Sequence, residues 1–279
     1  MNHFVNLSPP TCGVYIVGAG PGNPDLLTVR ATYLLQTADV ILFADSLIPP
    51  EILHGIRPDA EVIPTADKTL EEIVPFMIER VQSGQSVIRL HSGDPSLYST
   101  LYEQMELLSS AQIPVEVVPG ISAFQAAAAH LKIELTIPYQ VQTIILSRYS
   151  GRAGVPDTEE LSTLASHQSS LCLYLSATHV EQAQQALLRH YPPDTPVAIC
   201  FRISWPDEQI WLVPLHEMSE TTIQQNLTRT VLYLVSPVLR SLMTMDGKNT
   251  EPERIRSRLY HPNHYHLYRR QKPSHPLPG

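Results

Sequence analysis

Three short stretches of the chain concentrate the residue types that ligand chemistry needs. The first, "IVGAGPGNPDLLT" (Ile16 to Thr28), is a glycine turn between an apolar run and a segment of helical spacing. Gly18, Gly20 and Gly22 permit sharp turning and close approach of backbone to a ligand, and Pro21 stiffens the middle. The second, "HSGDPSLYS" (His91 to Ser99), sets Asp94 beside Gly93 as a fixed anion. A carboxylate there suits a cationic ligand or a hydroxyl and disfavours a phosphate; its plainer role is to cap the helix that follows. The third, "VPGISAF" (Val118 to Phe124), offers Ser122, which can cap its helix and also donate to a ligand. A fourth stretch, "FRISWPDE" (Phe201 to Glu208), pairs Arg202 with Trp205, a combination that favours an anionic or aromatic ligand and equally fits a surface hairpin around a buried tryptophan.

A dinucleotide phosphate is the first ligand such a glycine turn suggests. That fingerprint needs glycine at its first, third and sixth positions. Counted from Gly18, the third is Gly20 but the sixth is Asn23. Asp45 stands where the ribose-binding acid would fall, so the match is partial, and a plain tight turn explains the glycines as well. No GxSxG, HExxH, CxxC or GxxxxGK[ST] occurs, which sets aside covalent hydrolase, zinc protease and P-loop readings.

The elements that must position these loops alternate. Strands are expected at Gly13 to Val17, Asp39 to Ala44, Ser86 to Leu90 and Val115 to Val118. Helices are expected after Thr28 and Thr69, after "GDPSLY", and over Ser122 to Leu131. Thr28 is placed to cap its helix, and Thr69 with Glu72 has capping-box spacing for one burying Ile73, Phe76, Met77 and Val81. This alternation means βαβ units and a parallel sheet covered on both faces, with the strand-to-helix loops gathered at the carboxyl edge. Near Pro138 the pattern restarts: strands at Val141 to Arg148, Ser170 to Ser176, Pro196 to Phe201, Ile210 to Leu215 and Arg229 to Ser236, helices at 158–167 and 178–190, and a short helix before the last strand. The expected architecture is therefore α/β, with two α/β domains, 13–138 and 139–240, and a ligand cleft between them.

Bulk properties agree with a globular chain. Its 279 residues suffice for a sizeable core, and 43% hydrophobic and 16% charged content are ordinary globular values. The longest apolar runs are too short to span a bilayer, and "MNHFVNLSPP" lacks a signal-peptide plan. Cys12, Cys172 and Cys200 are far apart and odd in number, which argues for a reducing cytoplasm and against a disulfide or zinc framework. A net charge of −8 makes nucleic acid and anionic membranes poor partners. The charge is uneven: residues 241–279 hold seven Lys or Arg against three Asp or Glu, a tail of +4 on a body of −12. With four histidines, five prolines and no apolar period, that tail reads as a disordered extension rather than a metal site.

Taken together, "VYIVGAGPGNPDLLT", "ADVILFADSLIPPEIL", "RLHSGDPSLYS", "VPGISAFQAAAA" and "SWPDE" resemble the tetrapyrrole methylase family, over about residues 13 to 238. The resemblance implies a cytoplasmic homodimer that uses S-adenosylmethionine (SAM), leaving S-adenosylhomocysteine, and needs no metal of its own. "ADSLIPPEIL", "GDPSLY" and "SWPDE" look most like the branch that methylates C11 of precorrin-4 or cobalt-precorrin-4 in cobalamin biosynthesis; the nearest rival branch methylates uroporphyrinogen III. The glycine loop (Gly18, Gly20, Pro21, Gly22) would line the tetrapyrrole trough. Ser92, Gly93, Asp94, Leu97, Ser122, Ala123, Leu175, Ala198 and Thr230, with Pro24, would hold SAM. Asp45, by its position at a strand end facing the cleft, is the expected proton handler or acceptor for a pyrrole N–H, and Arg202 the expected partner for substrate carboxylates. Asn23 departs from the family, which usually has an acid there; an amide cannot act as a base at neutral pH. Outside the family, an oxidoreductase would bind NAD or FAD, and a non-catalytic sensor would hold SAM or a tetrapyrrole without turnover.

Overall fold

The computed structural model describes residues 10–151 and 154–243, together with Tyr265 and Arg270. Most of the expected basic tail lies outside the described residues; its first three form the end of a short helix, Arg240–Met243.

The first half is a five-stranded parallel sheet built from β1 (Gly13–Gly18), β2 (Val40–Phe43), β3 (Glu61–Pro64), β4 (Ser86–His91) and β5 (Val115–Val118), in the order β3-β2-β4-β1-β5. Its helices are α1 (Val29–Thr37), α2 (Leu70–Gln82), α3 (Leu101–Ser110) and α4 (Ala123–Leu131). Both faces are covered: Val14, Ile16, Val40, Leu42 and Val87 pack against α2 and α3, while Tyr15, Val17, Ile41, Ile88 and Leu90 pack against α1 and the 48–56 segment. That double burial is why these strands read as apolar runs without strict alternation. The expected caps form: Thr28 Oγ1 accepts from Ala31 N at 3.1 Å, and Glu72 Oε2 accepts from Thr69 N at 2.7 Å. Phe76 departs from expectation. It is half-buried under the Arg80 guanidinium, and Val74 takes the core position instead.

β3 has no counterpart in the sequence reading. Four half-exposed residues ending in proline make an edge strand with little apolar signal, and proline is tolerated only at such an edge.

The second half holds β6 (Ile144–Arg148), α5 (Leu161–Ala165), β7 (Ser170–Tyr174), α6 (Val180–Leu188), β8 (Pro196–Phe201), β9 (Gln209–Pro214), α7 (Met218–Gln224), β10 (Val231–Val235) and α8 (Arg240–Met243). Its sheet runs β6-β7-β10-β8-β9, and only β6 and β7 pair in parallel. The helices expected at 158–167 and 178–190 are shorter, each opened by a 3-10 turn.

One helix ties the halves together. Ala126 and Ala127 of α4, in sequence a first-half helix, pack against Cys172, Ala198, Cys200, Leu232 and Leu234 of the second sheet. Alanines allow a helix to lie close on a sheet, which accounts for Ala126 and Ala127, whereas Ala129 at the end of the run is exposed. Among the described residues no helix is long and apolar enough to cross a membrane.

Candidate active site

The three glycine-bearing loops follow β1, β4 and β5 and meet at one joint. Gly20 and Gly93 exchange backbone hydrogen bonds, Gly20 N to Gly93 O at 3.2 Å and Gly93 N to Gly20 O at 2.8 Å. Gly120 closes the joint from the third loop: a Cβ there would lie 2.1 Å from Gly93 O and 2.8 Å from Gly18 Cα. Gly18 is equally crowded, with its missing Cβ 2.6 Å from Gly120 Cα. Gly18 and Gly120 are required by close packing of backbone on backbone, whereas Gly20 and Gly93 are required by left-handed turns, with φ of +72° and +67°.

Asp94 holds two of the loops together. Its Oδ2 accepts from Gly120 N at 2.9 Å, and its Oδ1 accepts from Ser96 N at 2.8 Å and from the Ser96 hydroxyl. Burial works against its charge, but the hydrogen bonds from Ser96 and Gly120 outweigh it and keep the carboxyl below its ordinary range. The helix-capping role considered from sequence is not the one it plays, because α3 starts at Leu101 with Thr100 as its cap residue.

The second half supplies the opposite wall. Tyr174 ends β7, and its hydroxyl lies 2.8 Å from Ser122 Oγ and accepts from Phe124 N at 3.2 Å. Ser122 also forms a capping box with Gln125, so capping and a polar contact coexist in one side chain. Leu175, Arg202 and Thr230 all adopt left-handed backbone conformations, with φ of 51°, 46° and 57°. Arg202 N donates to Thr230 O at 2.9 Å, which braces two of these turns against each other. Leu175 is also 57% exposed, unusual for a leucine. Clustered strained residues of this kind mark ligand sites.

Between the walls lies a cavity of about 430 Å³, within the ordinary range for small-molecule sites of about 300–1,000 Å³. Of the residues singled out from sequence, Pro21, Ser92, Gly93, Leu97, Ser122, Ala123, Leu175 and Thr230 line it. Others stand elsewhere. Asp94, Gly18 and Gly20 belong to the loop joint behind it, Ala198 is buried under α4, and Pro24 opens an exposed 3-10 turn. Asp45 follows β2 beside the lining residue Ala44; its Oδ1 accepts from Thr65 N at 3.2 Å and Ala66 N at 2.9 Å.

The "FRISWPDE" loop clamps the first loop from the second half. Trp205 Nε1 donates to Pro21 O at 3.0 Å, and its ring fills the space where a Gly22 Cβ would sit, 2.3 Å from Cδ1. Asn23 N donates to Ser204 Oγ at 3.0 Å. Asn23 Oδ1 caps the next turn by accepting from Asp25 N at 2.9 Å, a task an aspartate would do equally. The Arg202 guanidinium stacks on Trp205, 5.0 Å from the ring centroid, and pairs with Asp207. On the far side of Trp205 a second, open cavity of about 560 Å³ is bordered by the His130–Glu208 pair. Among the described residues no cluster of His, Cys, Asp and Glu could hold a metal ion.

Three participants escaped the sequence reading: Gly120, Tyr174 and His91. Gly120 packs on Gly18 and Gly93, and Tyr174 meets Ser122, neighbours distant in sequence, while His91 joins the cavity wall at the end of β4.

Comparison with known proteins agrees with this arrangement. The sequence profile of the family described as Tetrapyrrole (Corrin/Porphyrin) Methylases matches residues 13–219. The chain is 41% identical to a precorrin-4 C(11)-methyltransferase of Pseudomonas aeruginosa, over 92% of this chain and 98% of that one. It is 38% identical to a cobalt-precorrin-4 C(11)-methyltransferase of Priestia megaterium, over 92% and 97%. Among solved structures, a cobalt-precorrin-4 methyltransferase of cobalamin biosynthesis superposes with a TM-score of 0.79 at 39% identity, covering 82% of this chain and 96% of that one. A uroporphyrin-III C-methyltransferase from Thermus thermophilus, complexed with S-adenosylhomocysteine, superposes at 0.70 with 27% identity, over 82% and 99%. The protein belongs to the tetrapyrrole methylase family. Its glycine turn is therefore that family's loop, and the dinucleotide oxidoreductase reading falls.

Proposed function

We propose that the protein is a SAM-dependent C-methyltransferase acting on C11 of precorrin-4 or cobalt-precorrin-4, within cobalamin biosynthesis. The observation that carries this reading is near full-length similarity, at 38–41% identity, to relatives named for that reaction. The rival substrate, uroporphyrinogen III, has weaker support: 27% identity to the Thermus structure.

The cavity suits SAM. Its wall combines apolar surface and hydroxyls with Tyr98 and Tyr174, aromatic residues of the kind that attract a positively charged sulfonium. Bound SAM supplies a methyl group on a good leaving group. What the chain must add is alignment, and orientation of this kind can supply about 7–11 kcal/mol. Ser92, Gly93, Leu97, Ser122, Ala123, Leu175 and Thr230 are the proposed cofactor contacts. Asp94 sets their loops, while Ala198 and Pro24 act through packing and turn geometry. Pro21 and Gly22, held by Trp205, border the proposed tetrapyrrole trough, with Gly18 and Gly20 shaping the turn beneath. Asp45 is the proposed proton acceptor, and Arg202 the proposed partner of a substrate carboxylate.

The unit boundary is placed near residue 138, and the enzyme is read as a homodimer on the family resemblance. Three unpaired cysteines accord with a reducing cytoplasm. Calorimetry with S-adenosylhomocysteine and with NADH tests the cofactor: binding of the first alone supports the reading, and binding of the second alone refutes it. Asp45→Asn with full turnover and an unaltered pH profile removes Asp45 from its role.

A further inference from the structure

At the carboxyl end of β4 lies a polar cluster that the proposed methyl transfer does not use. Val87, Arg89 and His91 alternate onto the sheet face covered by α2 and α3. Arg89 is 8% exposed and His91 7%. Arg89 Nη1 donates to Thr65 Oγ1 at 2.9 Å, while its Nε has no partner. Among the described residues no carboxylate forms an ion pair with this guanidinium. Burial lowers its pKa to about 10, so the group still carries its charge at neutral pH. A buried cation left without a counter-charge is costly and invites an anion.

His91 stands between this cation and the cavity, whose wall it joins. Burial first, and the Arg89 charge second, hold the imidazole down to about 4, so it is neutral. A neutral imidazole has one N–H, and Gln104 decides where it sits. The Gln104 Nε2 lies 3.2 Å from Ser99 O, 3.3 Å from Thr100 O and 3.2 Å from Thr100 Oγ1. Oxygens on that side identify the atom as the amide NH2. The same NH2 lies 3.4 Å from His91 Nε2, so Nε2 keeps its lone pair and Nδ1 bears the proton. Nδ1 has no partner among the described residues and is not sealed from solvent.

We propose that this end of β4 is a carboxylate subsite, in which His91 donates its Nδ1–H to a ligand carboxylate in the cleft and the uncompensated charge of Arg89 stands behind it. The inference rests on the function proposed above, which supplies two sources of that chemistry. One is the amino-acid end of SAM and the other an acidic side arm of the tetrapyrrole.

The test compares wild type with His91→Phe and His91→Asn. Binding of S-adenosylhomocysteine and of 5′-methylthioadenosine, which lacks the amino-acid end, is measured by calorimetry, and KM for the tetrapyrrole by turnover. If the carboxylate is the cofactor's, His91→Phe weakens S-adenosylhomocysteine about tenfold and leaves methylthioadenosine unchanged. If it is the substrate's, KM rises about tenfold with both nucleosides unaffected. In either case His91→Asn, which retains an N–H donor, recovers most of the loss. Equal weakening of both nucleosides, or no change in any of the three, overturns the subsite. Failure of the wild type to bind S-adenosylhomocysteine would instead overturn the proposed function.

Discussion

Replacing Gly120 by alanine introduces one methyl group into the joint of the three loops. The new Cβ would meet Gly93 O at 2.1 Å, Gly18 Cα at 2.8 Å and Gly18 C at 3.0 Å, all backbone atoms that cannot rotate away. Comfortable separation of such atoms is about 3.5 Å, so the second and third loops must part by about 1 Å or more. Gly120 is not among the residues with positive φ, so crowding alone drives the effect. Overpacking costs about 1–3 kcal/mol, and straining the Asp94–Gly120 hydrogen bond adds about 1 kcal/mol, for an expected loss of about 3 kcal/mol. A displacement of about 1 Å in a loop that positions reactants costs on the order of 10²-fold in kcat/KM. Urea unfolding reads the first consequence and steady-state turnover the second, with calorimetry on S-adenosylhomocysteine isolating the loss of cofactor affinity within it. Gly84→Ala is the control, since Gly84 has φ of +85° and nothing within 4 Å of its missing Cβ. It is expected to lose about 1 kcal/mol from backbone strain and to bind S-adenosylhomocysteine normally. Gly120→Ala within 0.5 kcal/mol of wild type with unchanged affinity, or a Gly84→Ala that matches it in lost binding, would refute the joint.

Further expectations follow from single residues. His91 titrates at its ordinary 6.5 when unfolded and at about 4 when folded, so the unfolded chain binds more protons in that window. Stability is therefore full above about pH 6.5 and falls by up to about 3 kcal/mol as pH drops to 4; the part due to His91 should vanish from the pH slope of urea midpoints in His91→Phe. Burial pushes the Cys172 and Cys200 thiols up to about 12, whereas Cys12 is exposed. A thiol reagent should modify one cysteine per native chain rapidly and all three only on unfolding. Trp205→Phe removes the hydrogen bond to Pro21 O and should cost about 1 kcal/mol in urea unfolding; an unchanged midpoint would mean that the clamp holds by packing alone.

The first half was readable because its strands are buried on both faces and its loops are punctuated by glycine and proline. β3 was not, since an edge strand of four half-exposed residues leaves no apolar run. The mixed pairing of the second sheet was equally hidden, because strand direction leaves no trace in the composition of a buried five-residue segment such as β7 or β10. The site followed the same division. The loop glycines announced themselves, but the meaning of Asp94 lay in Gly120, 26 positions on, and that of Tyr174 in Ser122, 52 positions back. The packing of Ala198 beneath α4 was likewise hidden, because its partners Ala126 and Ala127 lie about 70 positions earlier in the chain. His91 was passed over because a lone histidine at a strand end says nothing until Arg89 and Gln104 are seen around it.

The most direct test of the account is turnover with methyl-labelled SAM, offering precorrin-4, cobalt-precorrin-4 and uroporphyrinogen III in separate reactions and locating the label in the product. One methyl group, on C11, from a precorrin-4 form is the expected result. Label in uroporphyrinogen III alone, or in none of the three, would contradict it.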